Sequence, residues 1–203
     1  VIPVVADADT LFGATTRGLL IHLDYQRVIR LHWSPLILDE LSRALVDTGR
    51  KPDTASARRH EQLMRSAVPQ AEITTQQVQA QFGAVAPAVR STKDTHVAAC
   101  ARAILTGDYY PDTQVVSLVT RNLRDFGVRQ LAALGIDVRR PDGFLLQQVR
   151  QSPEAVAAAF AALRSTLRSA PEPDRLLERL AADGQTQTAA ALHDAWQRGA
   201  VRL

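Results

Sequence analysis

The chain has 203 residues, 46% of them apolar, a formal charge of +3 and a single cysteine, Cys100. That is enough chain for one sizeable core with an appended subdomain, and one cysteine excludes both an internal disulfide framework and a cysteine-built zinc site, as suits a reducing cytoplasm. No apolar run approaches the roughly 18 to 20 residues that span a bilayer, so a soluble protein without a membrane partner is expected. The basic residues are almost all arginine, which permits phosphate contacts, while 5% aromatic content argues against recognition by base stacking.

The apolar run Val4-Val5-Ala6 ends abruptly in Asp7-Ala8-Asp9. A buried strand of a parallel sheet reads as such a run, and open α/β sheets place ligands beyond the carboxyl ends of their strands. If the strand geometry persists, Asp7 and Asp9 leave it on one side; helix capping alone would also justify either. A helix from Ala14 to Leu23 follows, then a short strand, Val28 to His32. Ser34-Pro35 is a cap with proline at the first helical position, and Ile37, Leu38, Leu41 and Leu45 make the apolar stripe of the helix it opens. On that wheel Asp39 points away and Glu40 lies at the stripe's edge, able to reach across the top of the sheet.

Residues 51–87 are polar, with helical patterns over 55–67 and 75–84 and breaks at Pro52, Pro69 and Pro87. Asp94 sits at the start of the next helix, where capping would suffice to explain it. Val115 to Val119 is a second clear strand ending in a polar cluster, Thr120-Arg121-Asn122-Leu123-Arg124-Asp125-Phe126. A helix over 129–134 and a strand over 136–138 complete the alternation, which predicts an α/β domain with a mainly parallel sheet. From Ser152 the composition turns alanine-rich, and helices are expected over 155–167, 175–182 and 186–196 with no ligand-like cluster among them. Two domains follow from this reading, residues 1–146 and a C-terminal helical extension, 147–203.

Asp7, Glu40 and Asp94 thus come from a strand end, a stripe edge and a helix start on one face. Carboxylates gathered together destabilise one another unless protons or a cation compensate, and oxygen-only ligands favour Mg²⁺ or Mn²⁺ over zinc. The five histidines are scattered and read as structural.

These stretches resemble the PIN domain nucleases. The likeness runs through 5–11, Trp33 to Leu41, Lys93 to Ala99 and Val119 to Phe126, in family order and spacing, and covers about residues 4–145. The C-terminal helices, with Ala14-Thr15-Thr16-Arg17 after the first strand, look like the PIN branch whose members resemble toxins of bacterial toxin–antitoxin pairs. The resemblance implies a three-layer α/β/α fold and a cytoplasmic Mg²⁺- or Mn²⁺-dependent endoribonuclease. Asp7, Glu40 and Asp94 would be its catalytic metal ligands, RNA its substrate and an antitoxin its partner; a homodimer is a further option. Where the family often has a fourth acid this chain has Asn122, an uncharged ligand that Asp125 or Asp9 would supplement. Thr120, Arg121 and Arg17 are candidate RNA contacts.

Two other readings stand beside it. The apolar strand followed by the Asp-x-Asp pattern of Asp7-Ala8-Asp9, with Thr10 next, also looks like the first motif of haloacid-dehalogenase-type phosphatases, with Asp7 as nucleophile, Asp9 as general acid and Thr120 as second motif. That family needs a later lysine, and none follows Lys93. The other is a catalytically degenerate PIN-like module that binds RNA or protein, favoured only by Asn122.

Overall fold

The computed structural model describes residues 1–203. In chain order its elements are β1 (Ile2–Ala6), α1 (Ala8–Phe12), α2 (Ala14–Tyr25), β2 (Ile29–His32), α3 (Pro35–Asp47), α4 (Thr54–Ala67), α5 (Thr75–Gln79) and α6 (Phe82–Val85). There follow α7 (Thr95–Thr106), β3 (Val116–Val119), α8 (Val128–Ala133), β4 (Ile136–Arg139), α9 (Pro141–Gln151), α10 (Pro153–Thr166), α11 (Pro173–Ala182) and α12 (Thr186–Gln197). Short 3-10 turns cover Ala86–Ala88, Thr92–Asp94 and Leu123–Asp125. The fold is α/β with one all-parallel sheet in the order β2-β1-β3-β4, consistent with a PIN-like three-layer fold.

Contacts divide the chain into two compact units, one of residues 2–12 and 30–139, the other of residues 13–29 and 140–203 with Val1. The first holds the sheet. Val4, Val5 and Ala6 of β1 and Val116, Leu118 and Val119 of β3 are fully buried, as a strand covered on both faces requires. Their register pairs Ala6 with Val119, so the residues that follow, Asp7 and Thr120, leave adjacent strands side by side. In α3 the Ser34 hydroxyl accepts the Ile37 N–H at 3.3 Å, Pro35 fills the first turn, and the stripe Ile37, Leu38, Leu41 and Leu45 is buried. The helix expected over 75–84 is instead two, because the Gln81 N–H turns back to the Val78 carbonyl at 3.0 Å and tightens the ladder to a close.

The second unit gathers α2 with α9 to α12. Helix α10 lies so close to α2 that a Cβ on Gly18 would come within 2.6 Å of Leu163. Gly13 leaves α2 without a capping side chain, and the Asp183 carboxylate supplies one from the far end of the chain, accepting the N–H groups of Thr15 at 2.8 Å and Thr16 at 2.9 Å. In the same way Asp142 of α9 caps α12, accepting the N–H groups of Gln187 and Thr188 at 3.0 and 2.9 Å. Pro141-Asp142-Gly143 is therefore the first turn of a helix that the sequence pattern did not show. A boundary at residue 146 and the contact-defined units differ in where α2 and α9 belong.

Candidate functional site

Strand geometry stops at Ala6, and Asp9 lies within α1, so the expectation of two acids side by side on an extended strand is corrected. What joins them is Thr120. Its hydroxyl donates to Asp7 Oδ2 at 2.8 Å and lies 3.3 Å from Asp9 Oδ2, while the Arg121 N–H donates to Asp9 at 2.9 Å. The Asp7 N–H bonds to the Val119 carbonyl at 3.0 Å, continuing the β1–β3 ladder by one residue and fixing the carboxylate at the sheet's rim. Asp7 Oδ1 accepts the Ala8 N–H at 2.6 Å.

Asp7 is only 5% exposed. Burial first, then the charges of Asp9 and Glu40, push its carboxyl up to about 7, against the hydrogen bonds from Thr120 and Ala8. Burial also raises Asp9, in spite of its bonds to Arg121, Thr10 and Thr120.

Glu40 projects from α3 toward His96 of α7, with Oε2 3.4 Å from Nε2. Nε2 makes no well-aligned hydrogen bond, so the contact is an ion pair when the ring is protonated. His96 lowers the Glu40 carboxyl, and Glu40, the Lys93 carbonyl and the Asp7 charge together raise His96 over the opposing effect of burial. His96 Nδ1 lies 2.7 Å from the Lys93 carbonyl, which can only accept, so this nitrogen carries a proton. His96, read from the sequence as structural with the other histidines, stands beside Glu40 from a position two residues after Asp94.

Asp94 occupies the cap position of α7 but makes no side-chain capping bond. Burial first, then a hydrogen bond and repulsion from Asp125 and repulsion from Glu40, raise its carboxyl, against a bond from Ser91. The backbone explains the meeting of Asp94 with Asp125. Val89 and Phe126 form an antiparallel bridge, flanked by Arg90 N–H to Asp125 carbonyl and Gly127 N–H to Ala88 carbonyl bonds of 2.7 Å each, which clamps the run before Asp94 onto the run after Asn122. The Asn122 amide donates to the Asp125 carboxylate. Arg121 is exposed beside Asp9; Arg17 belongs to α2 of the other unit.

The acids of β1, α1, α3 and α7 and of the β3 exit thus perturb one another in a chain running from Asp9 through Asp7 and Glu40 to Asp94 and Asp125. No three acidic, histidine or cysteine side chains converge closely enough to enclose one ion as they stand. The donor chemistry nonetheless fits a hard divalent cation: oxygen ligands throughout, and two carboxyls held up by burial first and then by like charge, which a bound cation would offset.

Residues 141–194 match the family model of the VapC50 C-terminal domain. VapC toxins are PIN-domain toxins, and the match supports a PIN-like toxin family for this chain. No curated protein and no solved structure matches it.

Proposed function

We propose that the protein is a Mg²⁺- or Mn²⁺-dependent endoribonuclease and the toxin of a toxin–antitoxin pair, acting on RNA in the cytoplasm. The observation that supports this best is the elevation of Asp7, Asp9 and Asp94, by burial first and for Asp7 and Asp94 by neighbouring carboxylates as well, beside the carboxyl end of a parallel sheet, where uncompensated acids are unfavourable unless they serve a cation. Asp7, Glu40 and Asp94 would hold the metal, with Asp125, Asn122 and Asp9 supplementing them. When bound, such an ion supplies a hydroxide nucleophile at neutral pH and stabilises the charge that develops at phosphorus.

The chain's own groups do the rest. Thr120 and the Ala8 N–H hold the Asp7 carboxylate by hydrogen bonds, and His96 stands beside the Glu40 carboxylate as its counter-charge when protonated. Arg121, exposed next to Asp9, and Arg17 are offered as phosphate contacts. In functional terms residues 1–146 would carry the chemistry and 147–203 would serve packing, an antitoxin or a second copy of the chain.

The Thr120 bridge between Asp7 and Asp9 also suits a phosphatase with Asp7 as nucleophile. Glu40 and Asp94 have no task in that reading, and beryllium fluoride, which traps phosphoaspartate enzymes, separates the two. The deciding experiment is cleavage of a mixed RNA pool with and without Mn²⁺ by the wild type and by Asp7→Asn. Mn²⁺-dependent cleavage lost in the variant is the expected outcome; equal cleavage by both would overturn the assignment of Asp7.

A further inference from the structure

Arg50 is an exposed arginine whose side chain is not left free. Its guanidinium carbon stands 4.1 Å above the centre of the Phe12 ring, and Nη1 donates to the Phe12 carbonyl at 3.3 Å. The loop that carries it is tightly built. Gly49 takes the left-handed conformation, φ 71°, with its N–H on the Val46 carbonyl at 2.9 Å, and the Lys51 N–H returns to the Leu45 carbonyl at 2.8 Å. No carboxylate pairs with Arg50, and the nearby Asp53 is occupied as the cap of α4 through the Ser56 N–H at 2.7 Å. Phe12 closes the helix that opens directly after Asp7, so the platform lies about 7 Å further along that axis.

We propose that Arg50, held face-on by Phe12, grips a backbone phosphate of the RNA strand running past the acids; this rests on the ribonuclease reading above. A cluster of carboxylates repels the flanking phosphates of its own substrate, so fixed cations are needed on either side of it. A guanidinium already immobilised loses little further rotamer freedom on binding, and its remaining N–H groups match a phosphate. The low aromatic content of the chain is consistent with Phe12 orienting a cation and not stacking a base.

The alternative is that Arg50 merely caps the end of α1 and covers Phe12. Binding of a fluorescein-labelled single-stranded RNA by the full chain in EDTA, followed by anisotropy over a range of salt concentrations, separates the two. Arg50→Gln keeps a side-chain donor for the Phe12 carbonyl and removes the charge. It should weaken binding about three- to tenfold and reduce the steepness of log Kd against log salt by about 0.7, with Arg50→Lys recovering the slope. Arg59→Ala, which removes an exposed cation on α4, should change neither. The inference is overturned if Arg50→Gln binds with the wild-type Kd and slope, or if Arg59→Ala loses as much. Should the wild type neither bind RNA in EDTA nor cleave it with Mn²⁺, the ribonuclease reading falls and this one with it; cleavage that is intact in Arg50→Gln with unchanged binding removes this one alone.

Discussion

Asp125 decides what substitution at Asn122 can achieve. The Asn122 amide is a donor to the Asp125 carboxylate, and Asp125 faces Asp94, so a fourth charge is already within the acid chain. Asn122→Asp would replace a donor by an acceptor and set two carboxylates in contact. We expect it to lower the metal-free melting temperature and to leave the Mn²⁺ concentration for half-maximal RNA cleavage no lower than in the wild type, whereas Asp125→Asn should raise that concentration several-fold. A fall for Asn122→Asp would mean that position 122, not 125, lacks the charge. Residue type and the ends of apolar runs offer Asp7, Glu40 and Asp94 as candidates, with capping an equally sufficient account of Asp94 taken alone. Their partners Thr120, His96 and Asp125 were not legible, because these meetings depend on the sheet order and on the bridge between Val89 and Phe126, pairings of residues far apart in sequence.

At the scale of elements, local signals performed as their physics suggests. Ser34-Pro35 and the stripe behind it gave α3, and the apolar runs gave β1 and β3 to within a residue or two at each end. Helix α9 escaped notice since Pro141-Asp142-Gly143 carries turn residues, and what employs Asp142 is α12, more than forty positions on. Long-range capping of this kind also holds α2. Asp183→Ala leaves the N–H groups of Thr15 and Thr16 without their acceptor and should cost about 1 kcal/mol, the usual loss for a removed cap. For a chain of this length that corresponds to a fall of roughly 2–4 °C in Tm, readable by calorimetry. An unchanged Tm would show that water replaces Asp183 without loss.

Over the whole molecule, the raised acids set the pH dependence of stability. Asp7 moves from 3.8 to about 7 on folding, so the folded chain binds that proton more tightly than the unfolded one. The associated stability is complete below about pH 4 and is lost as pH rises through 7; the upward shifts of Asp9, Asp94 and His96 act in the same direction. The metal-free protein should therefore melt lower at pH 8 than at pH 6.5, a range above that in which His32, lowered by burial to about 4, adds stability as pH rises. The slope reaches at most about 1.4 kcal/mol per pH unit for one such group, and Asp7→Asn should flatten it. Mn²⁺ should restore the loss at pH 8 by binding the folded form. A melting temperature that rises with pH over this range would contradict the burial of Asp7. The capping of α2 by Asp183 also has a consequence for synthesis. All residues of the acid cluster, 7 to 125, have left the ribosome well before residue 183 is added, so α2 is among the first helices made and among the last to acquire its cap.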